Sequence, residues 1–142
     1  MILYPDVNVL IALFDTAHQH HNMASTAFVE HNSEGWASCP VVETGFIRVI
    51  ANPSYTNSVS VANAVSLLQI AISNTQHHNL HQSISILNND CFQSAHLVSH
   101  KQLTDLYLIG MAIYHNVKLI TFDRNIPTHA AIGFEPKHLL VL

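Results

Sequence analysis

Short apolar runs alternate along this chain with longer stretches whose apolar positions recur at helical spacing. Residues 2–4 (ILY) read as a short strand and 8–14 (NVLIALF) as a short helix. Residues 20–32 read as an amphipathic helix and 35–39 (GWASC) as a second strand. Pro40 is favoured in a first helical turn and opens a helix to about Ala51. Residues 52–57 (NPSYTN) read as a turn, and 59–74 carry helical apolar spacing. SISIL (83–87) is expected as a strand and 90–99 as a helix. Thr104 is expected to cap a helix running to about His115. VKLITF (117–122) is a strongly apolar strand, and HLLVL (138–142) a last one. Strands alternating with helices predict an α/β fold with a mainly parallel sheet. No repeat, linker or low-complexity tract divides the pattern, so 1–142 is expected as a single domain.

Composition narrows the function. Apolar residues are 49% of the 142, but charged residues only 10%, against roughly 25% in ordinary domains. The net charge of -4 gives no sign of a bulk electrostatic nucleic-acid binder. Cys39 and Cys91 do not make a disulfide framework; they are expected as buried small apolar residues in a reducing compartment. The N-terminus lacks the positive region of a signal peptide, and the apolar run around LYLIGMAIY is too short to span a bilayer. A soluble, cytoplasmic protein with no membrane partner is the expectation.

Four of the nine acids share one topological position. Asp6 follows the first strand and Asp123 follows KLITF. Asp105 opens the helix leading back into that strand, and Glu43 lies in the first turn of the helix after GWASC. All four fall at the C-terminal edge of the sheet, where open α/β folds bind ligands. Each alone has a plainer role: Asp6 and Asp123 as turn formers, Asp105 and Glu43 as acids favoured at helix N-termini. Together they would repel one another unless protons or a cation intervened, and hard divalent cations take such oxygen ligands.

The segments DVNVLIALFD, VVETGFIRVIANP, LTDLYLIGMAI and KLITFDRNI resemble, in order and spacing, the motifs of PIN-domain ribonucleases, and of VapC toxins of toxin–antitoxin pairs in particular. The resemblance covers the chain from Asp6 to Leu142 and implies an α/β/α sandwich that binds Mg²⁺ or Mn²⁺ and cuts RNA. Asp6, Glu43, Asp105 and Asp123 match the family's catalytic, metal-holding acids. Asn8 and Thr104 match supporting polar residues, and Arg48 a recurrent arginine beyond the glutamate. Asn125 stands where many relatives carry an acid, which leaves open whether one metal is held or two. The resemblance further implies a homodimer, a small antitoxin partner, and products ending in a 5′-phosphate and a 3′-hydroxyl.

A divalent ion lowers the pKa of bound water and stabilises charge building on a phosphodiester. The expected roles follow: Asp6, Asp105 and Asp123 hold the ion, and Glu43 orients the attacking water or completes the coordination. Arg48 and Arg124 are the candidates to meet substrate phosphates. HQHH (18–21) and HHNLH (77–81) look like soft-metal sites, with His77 and His81 four apart, but fit no zinc spacing and are expected as surface histidines. A haloacid-dehalogenase-like phosphatase is the rival enzyme; it needs an acid where Asn8 stands. A receiver-like module needs a central phosphoacceptor that residues 50–60 lack. A PIN nuclease or RNA-processing factor outside toxin–antitoxin systems remains the nearer alternative.

Overall fold

The computed structural model describes residues 1–81, 83–93 and 98–142. Five short strands, β1 (Leu3–Pro5), β2 (Trp36–Ser38), β3 (His77–Asn79), β4 (Lys118–Thr121) and β5 (Leu139–Val141), form one sheet. Its order is β3-β2-β1-β4-β5, and every pairing is parallel. The chain therefore builds outward from β1 on one side, then crosses back to build β4 and β5 on the other. The crevice outside the C-terminal ends of β1 and β4 is the point where that direction reverses.

Five helices cover the sheet: α1 (Val7–Phe14), α2 (His21–His31), α3 (Pro40–Ile50), α4 (Val61–Asn74) and α5 (Leu103–His115). Local chemistry explains their ends. Asp6 caps α1 by accepting from the Val9 amide at 2.8 Å, and Ser60 caps α4 by accepting from the Asn63 amide at 3.1 Å. Pro40 occupies the first turn of α3. Asn116 ends α5 at φ 52°, a left-handed conformation that asparagine tolerates. Consecutive strand residues face opposite sides, so Leu119 joins the large core with Leu108, Ile109 and Ala112 of α5. Ile120 packs with Val9, Ala12, Ala24 and Ala27 of α1 and α2.

Three expectations from the sequence are corrected here. Residues 83–87 hold no strand; the strand is β3, six residues earlier, on the polar segment His77–Asn79. As an edge strand paired only with β2, it has no need of an apolar pattern. Residues 90–93 form a turn and an antiparallel bridge from Phe92 to Ala131 rather than the start of a helix; 94–97 of that expected helix lie outside the described residues. Finally, Thr104 is not the cap of α5. A 3-10 turn, His100–Gln102, leads directly into the helix at Leu103, and Ser99 and Gln102 cap that turn reciprocally.

Phe92 and α5 are in close contact. A β-carbon at Gly110 would run into the buried Phe92 ring. Alanine gains roughly 1 kcal/mol of helix propensity over glycine, while overpacking a core costs about 1–3 kcal/mol. Gly110→Ala is expected to lower the unfolding free energy by about 1–2 kcal/mol in urea titration. Adding Phe92→Leu should return part of that loss. A Gly110→Ala variant more stable than its parent would contradict this packing.

Candidate active site

The crevice between β1 and β4 holds three aspartates. Asp6 is buried, 7% exposed, at the end of β1. Its amide donates to the Ile120 carbonyl at 3.0 Å, which ties it to β4. Its Oδ1 accepts from Val9 as the α1 cap, and its Oδ2 accepts from the Thr121 hydroxyl at 2.6 Å. Thr121 Oγ1 in turn accepts from the Asp123 amide at 3.0 Å. This fully buried hydroxyl thus links Asp6 to the turn carrying Asp123. Asp123 is exposed and folds its Oδ1 onto the Asn125 amide at 2.7 Å. The Asn125 carbonyl accepts from the Gln102 side chain at 3.1 Å, which straps the turn to the start of α5. Asn125 is therefore held through its backbone.

Asp105, half-buried in the first turn of α5, faces the same crevice and lies within hydrogen-bonding reach of Asp123. Its pKa is pushed up to about 6, first by burial, then by the charges of Asp123 and Asp6 and the contact with Asp123. The helix dipole, worth about 0.3–1 kcal/mol at such a position, works the other way and is overridden. Burial also raises Asp6, opposed by its bonds from Thr121 and the α1 amides. At neutral pH the folded chain thus holds carboxylates that resist ionisation.

Glu43 is placed differently. It lies in the first turn of α3, and its Oε1 accepts a 2.6 Å bond from Ser38 at the end of β2. Its charge is not among those acting on Asp6 or Asp105; the group it acts on is His77. Among the described residues, no set of three or more His, Cys, Asp or Glu side chains is drawn together in the manner of a metal cage. The arrangement is a trio of aspartates with a glutamate in the first helical turn after the neighbouring strand.

The remaining expected residues surround this edge. Asn8 and Thr104 are exposed in the first turns of α1 and α5. Arg124 is exposed beside Asp123, and Arg48 is exposed in the last turn of α3, five residues beyond Glu43. That displacement is about 7.5 Å along the helix, away from the acidic edge. The ion pairs among the described residues are Met1–Glu34 and Lys137–Glu135, so neither arginine is committed to an acid. Sequence reasoning missed Thr121, Gln102, Ser38 and His77. Thr121 had a signal: it sits two residues before Asp123 and four from the strand start, inside the apolar run. Gln102 meets a backbone carbonyl and His77 a serine 39 residues away, which no local pattern marks; Ser38 lies five residues before Glu43, inside a segment that reads as plain strand.

The stability consequence has a definite sign. Asp105 binds its proton more tightly in the folded chain than at the ordinary value of 3.8. Its ionisation therefore costs stability, not at all below about pH 4 and fully above about pH 6. With chelator present, Asp105→Asn should match the parent's Tm near pH 4. At pH 7 it should exceed it by a few degrees, since 1 kcal/mol is worth about 4 °C in a domain of this size. A difference independent of pH across that window, by scanning calorimetry, would contradict the crowding of these carboxylates.

Comparison with known proteins bears on the fold and the family. A family model described as PIN domain matches residues 3–132. The chain is similar to Ribonuclease VapC44 of Mycobacterium tuberculosis, 39% identical over 137 residues and 96% of each chain. It is also similar to Ribonuclease VapC38 of the same species, 34% identical over 126 residues, 88% of this chain and 87% of that one. In solved structures, its fold resembles VapBC2 from Rickettsia felis bound to a DNA fragment from their promoter, with TM-score 0.62 and 12% identity over 100% and 99% of the two chains. Mycobacterium tuberculosis VapC20, a Sarcin-Ricin loop cleaving toxin, superposes at TM-score 0.56 with 11% identity over 94% and 99%. The family match over most of its length and these full-length relatives show that the chain belongs to the PIN-domain family, among the VapC ribonucleases.

Proposed function

We propose that this chain is the endoribonuclease toxin of a toxin–antitoxin pair, one nuclease domain spanning 1–142, with Asp6, Asp105 and Asp123 at its catalytic centre. The observation carrying the reading is the close approach of Asp105 to Asp123 beside buried Asp6 at one edge of the sheet. Ribonucleases of this family are generally metal-dependent, and an all-oxygen donor set of crowded carboxylates fits a hard cation, Mg²⁺ or Mn²⁺. Such a cation would be held by Asp6, Asp105 and Asp123, and would supply an activated water and charge stabilisation at the phosphoryl group.

The chain's own residues do the rest. Thr121 and the α1 amides fix Asp6, so its position does not change when a ligand enters. Gln102 holds the Asp123 turn against α5. A cation there would favour the ionised form of Asp105 and offset the burial and neighbouring charges that raise its pKa. Glu43, in the first helical turn after the neighbouring strand, orients the attacking water, and Asn8 and Thr104 line the rim. Arg124, exposed and unpaired with any acid among the described residues, takes a substrate phosphate, with Arg48 further out. In-line attack with the 3′-oxygen as leaving group, as the family resemblance implies, would leave a 5′-phosphate and a 3′-hydroxyl.

Partners follow from the same reading: RNA as substrate, a small antitoxin, and a second copy in a homodimer. Large exposed apolar side chains, among them Val41, Leu103 and Ile70, leave surface for a protein partner to cover. No helix among the described residues is long and apolar enough to cross a membrane, and the cytoplasm is the proposed compartment.

Asp105→Asn is expected to lower cleavage of a fluorogenic RNA by at least about 1000-fold while retaining the parent's circular dichroism. Millimolar Mg²⁺ or Mn²⁺ should raise the parent's Tm, with chelator reversing the gain. A variant cutting at the parental rate, or a Tm indifferent to both additions, would refute the site. RNA affinity should depend weakly on salt. Each neutralised phosphate contributes about -0.7 to the slope of log affinity against log salt on a single strand. Two or three contacts per subunit give about -2; a slope steeper than about -4, measured with the Asp105→Asn variant, would mean that another surface binds RNA.

A further inference from the structure

The glutamate is the acid that the aspartate network does not hold, and a separate chain of contacts holds it. Ser38, 1% exposed at the end of β2, donates its hydroxyl proton to Glu43 Oε1 at 2.6 Å. The same hydroxyl oxygen lies 2.8 Å from His77 Nε2 on β3. A serine hydroxyl has one proton, and here it goes to the carboxylate. The bond to His77 therefore requires the proton on Nε2, which leaves Nδ1 as the bare nitrogen of a neutral ring. Nδ1 is buried and has no hydrogen-bond partner, as that tautomer allows.

The ring is also held from its other side. Trp36 packs edge-on to His77, with centroids 4.4 Å apart and planes at 66°. Trp36 Nε1 donates to Thr75 Oγ1 at 2.8 Å, and Thr75 donates to the Ala71 carbonyl of α4 at 2.7 Å. Donors thus run from β3 to β2 to the first turn of α3, ending on one oxygen of the glutamate.

We propose that Ser38 and His77 are positioning residues that hold the Glu43 carboxylate in one orientation, with Oε1 engaged and Oε2 left for the water or cation at the neighbouring aspartate edge. The inference rests on the active-site reading above. A glutamate side chain otherwise loses substantial rotamer freedom when it is ordered, and the short charge-assisted bond from Ser38 offsets that loss before substrate arrives. The histidine acts through the serine: by donating to Oγ it directs the hydroxyl proton toward Glu43.

Two conservative and two disruptive substitutions separate positioning from packing. Ser38→Ala and His77→Phe remove the donors, the second keeping a ring against Trp36. Ser38→Thr and His77→Gln retain a hydroxyl and an amide donor. Both disruptive variants are expected to lose about 10–100-fold in kcat, the range for residues supporting metal ligands, with KM for RNA within about threefold and Tm near the parent's. Calorimetric titration with Mn²⁺ alone should show weakened binding in both. In long-range ¹H–¹⁵N spectra, the parent's His77 should be the Nε2–H tautomer, and Ser38→Ala should lose that preference. The conservative variants should recover most of kcat.

Asp105→Asn is the control in every series. If it cleaves at the parental rate, the active-site reading fails. If it is inactive while Ser38→Ala and His77→Phe keep full kcat and Mn²⁺ affinity, the positioning role alone is overturned. Failure of the conservative variants to recover kcat, with their folds intact, also overturns it. Should Ser38→Ala not fold, His77→Phe tests the same role from the outer end of the chain of donors.

Discussion

Like-charge repulsion among three aspartates is the constraint around which this fold is arranged. Left free, Asp6, Asp105 and Asp123 would separate. The sheet prevents it by placing two of them at adjacent strand ends and the third at the start of the helix leading into one of those strands. Asp6 is immobilised by two elements at once: β4, through the Ile120 carbonyl and the Thr121 hydroxyl, and α1, through its first amides. Burial first, and the neighbouring charges after it, raise the pKa values of Asp6 and Asp105. A polypeptide selected for stability alone would gain by replacing one of these acids; their presence together accords with a site that is completed by a ligand.

The two arms of the sheet divide the work. β4, with α5, carries the aspartates and their strap through Thr121 and Gln102. β2, β3 and α3 carry the glutamate and its donors. In the sheet the arms are joined through β1, whose last residue precedes Asp6. Trp36 belongs to both purposes. It fills the core beside Ala37 and Cys39, and it fixes the imidazole that faces Ser38.

Much of this was legible in the sequence because strong signals coincided. Apolar runs ending in Asp6 and Asp123 marked strands and their functional edge together, and Pro40 marked the start of α3. The misses have physical reasons. β3 is polar because an edge strand of three residues takes its stability from backbone pairing to β2. SISIL looked like a strand, yet its Ile84 reaches the core from irregular backbone. Thr104 has the chemistry of a cap, but the 3-10 turn runs directly into α5 at Leu103 and leaves Thr104 inside the helix. The aspartate trio could be anticipated from position. The turning of Glu43 toward Ser38 and His77 could not, because the contact joins segments 39 residues apart whose pairing depends on the register of β2 with β3.

The bond from Thr121 to Asp6 spans 115 positions of sequence, and this separation has a meaning during synthesis. The first acid leaves the ribosome early, but the strand that anchors it comes close to last. At roughly 5–20 residues per second, on the order of ten seconds pass between the two. Parallel pairing of β1 with β4 also closes a long loop, which slows folding further. The acidic site therefore cannot assemble until the segment carrying β4 has emerged, long after Asp6 itself.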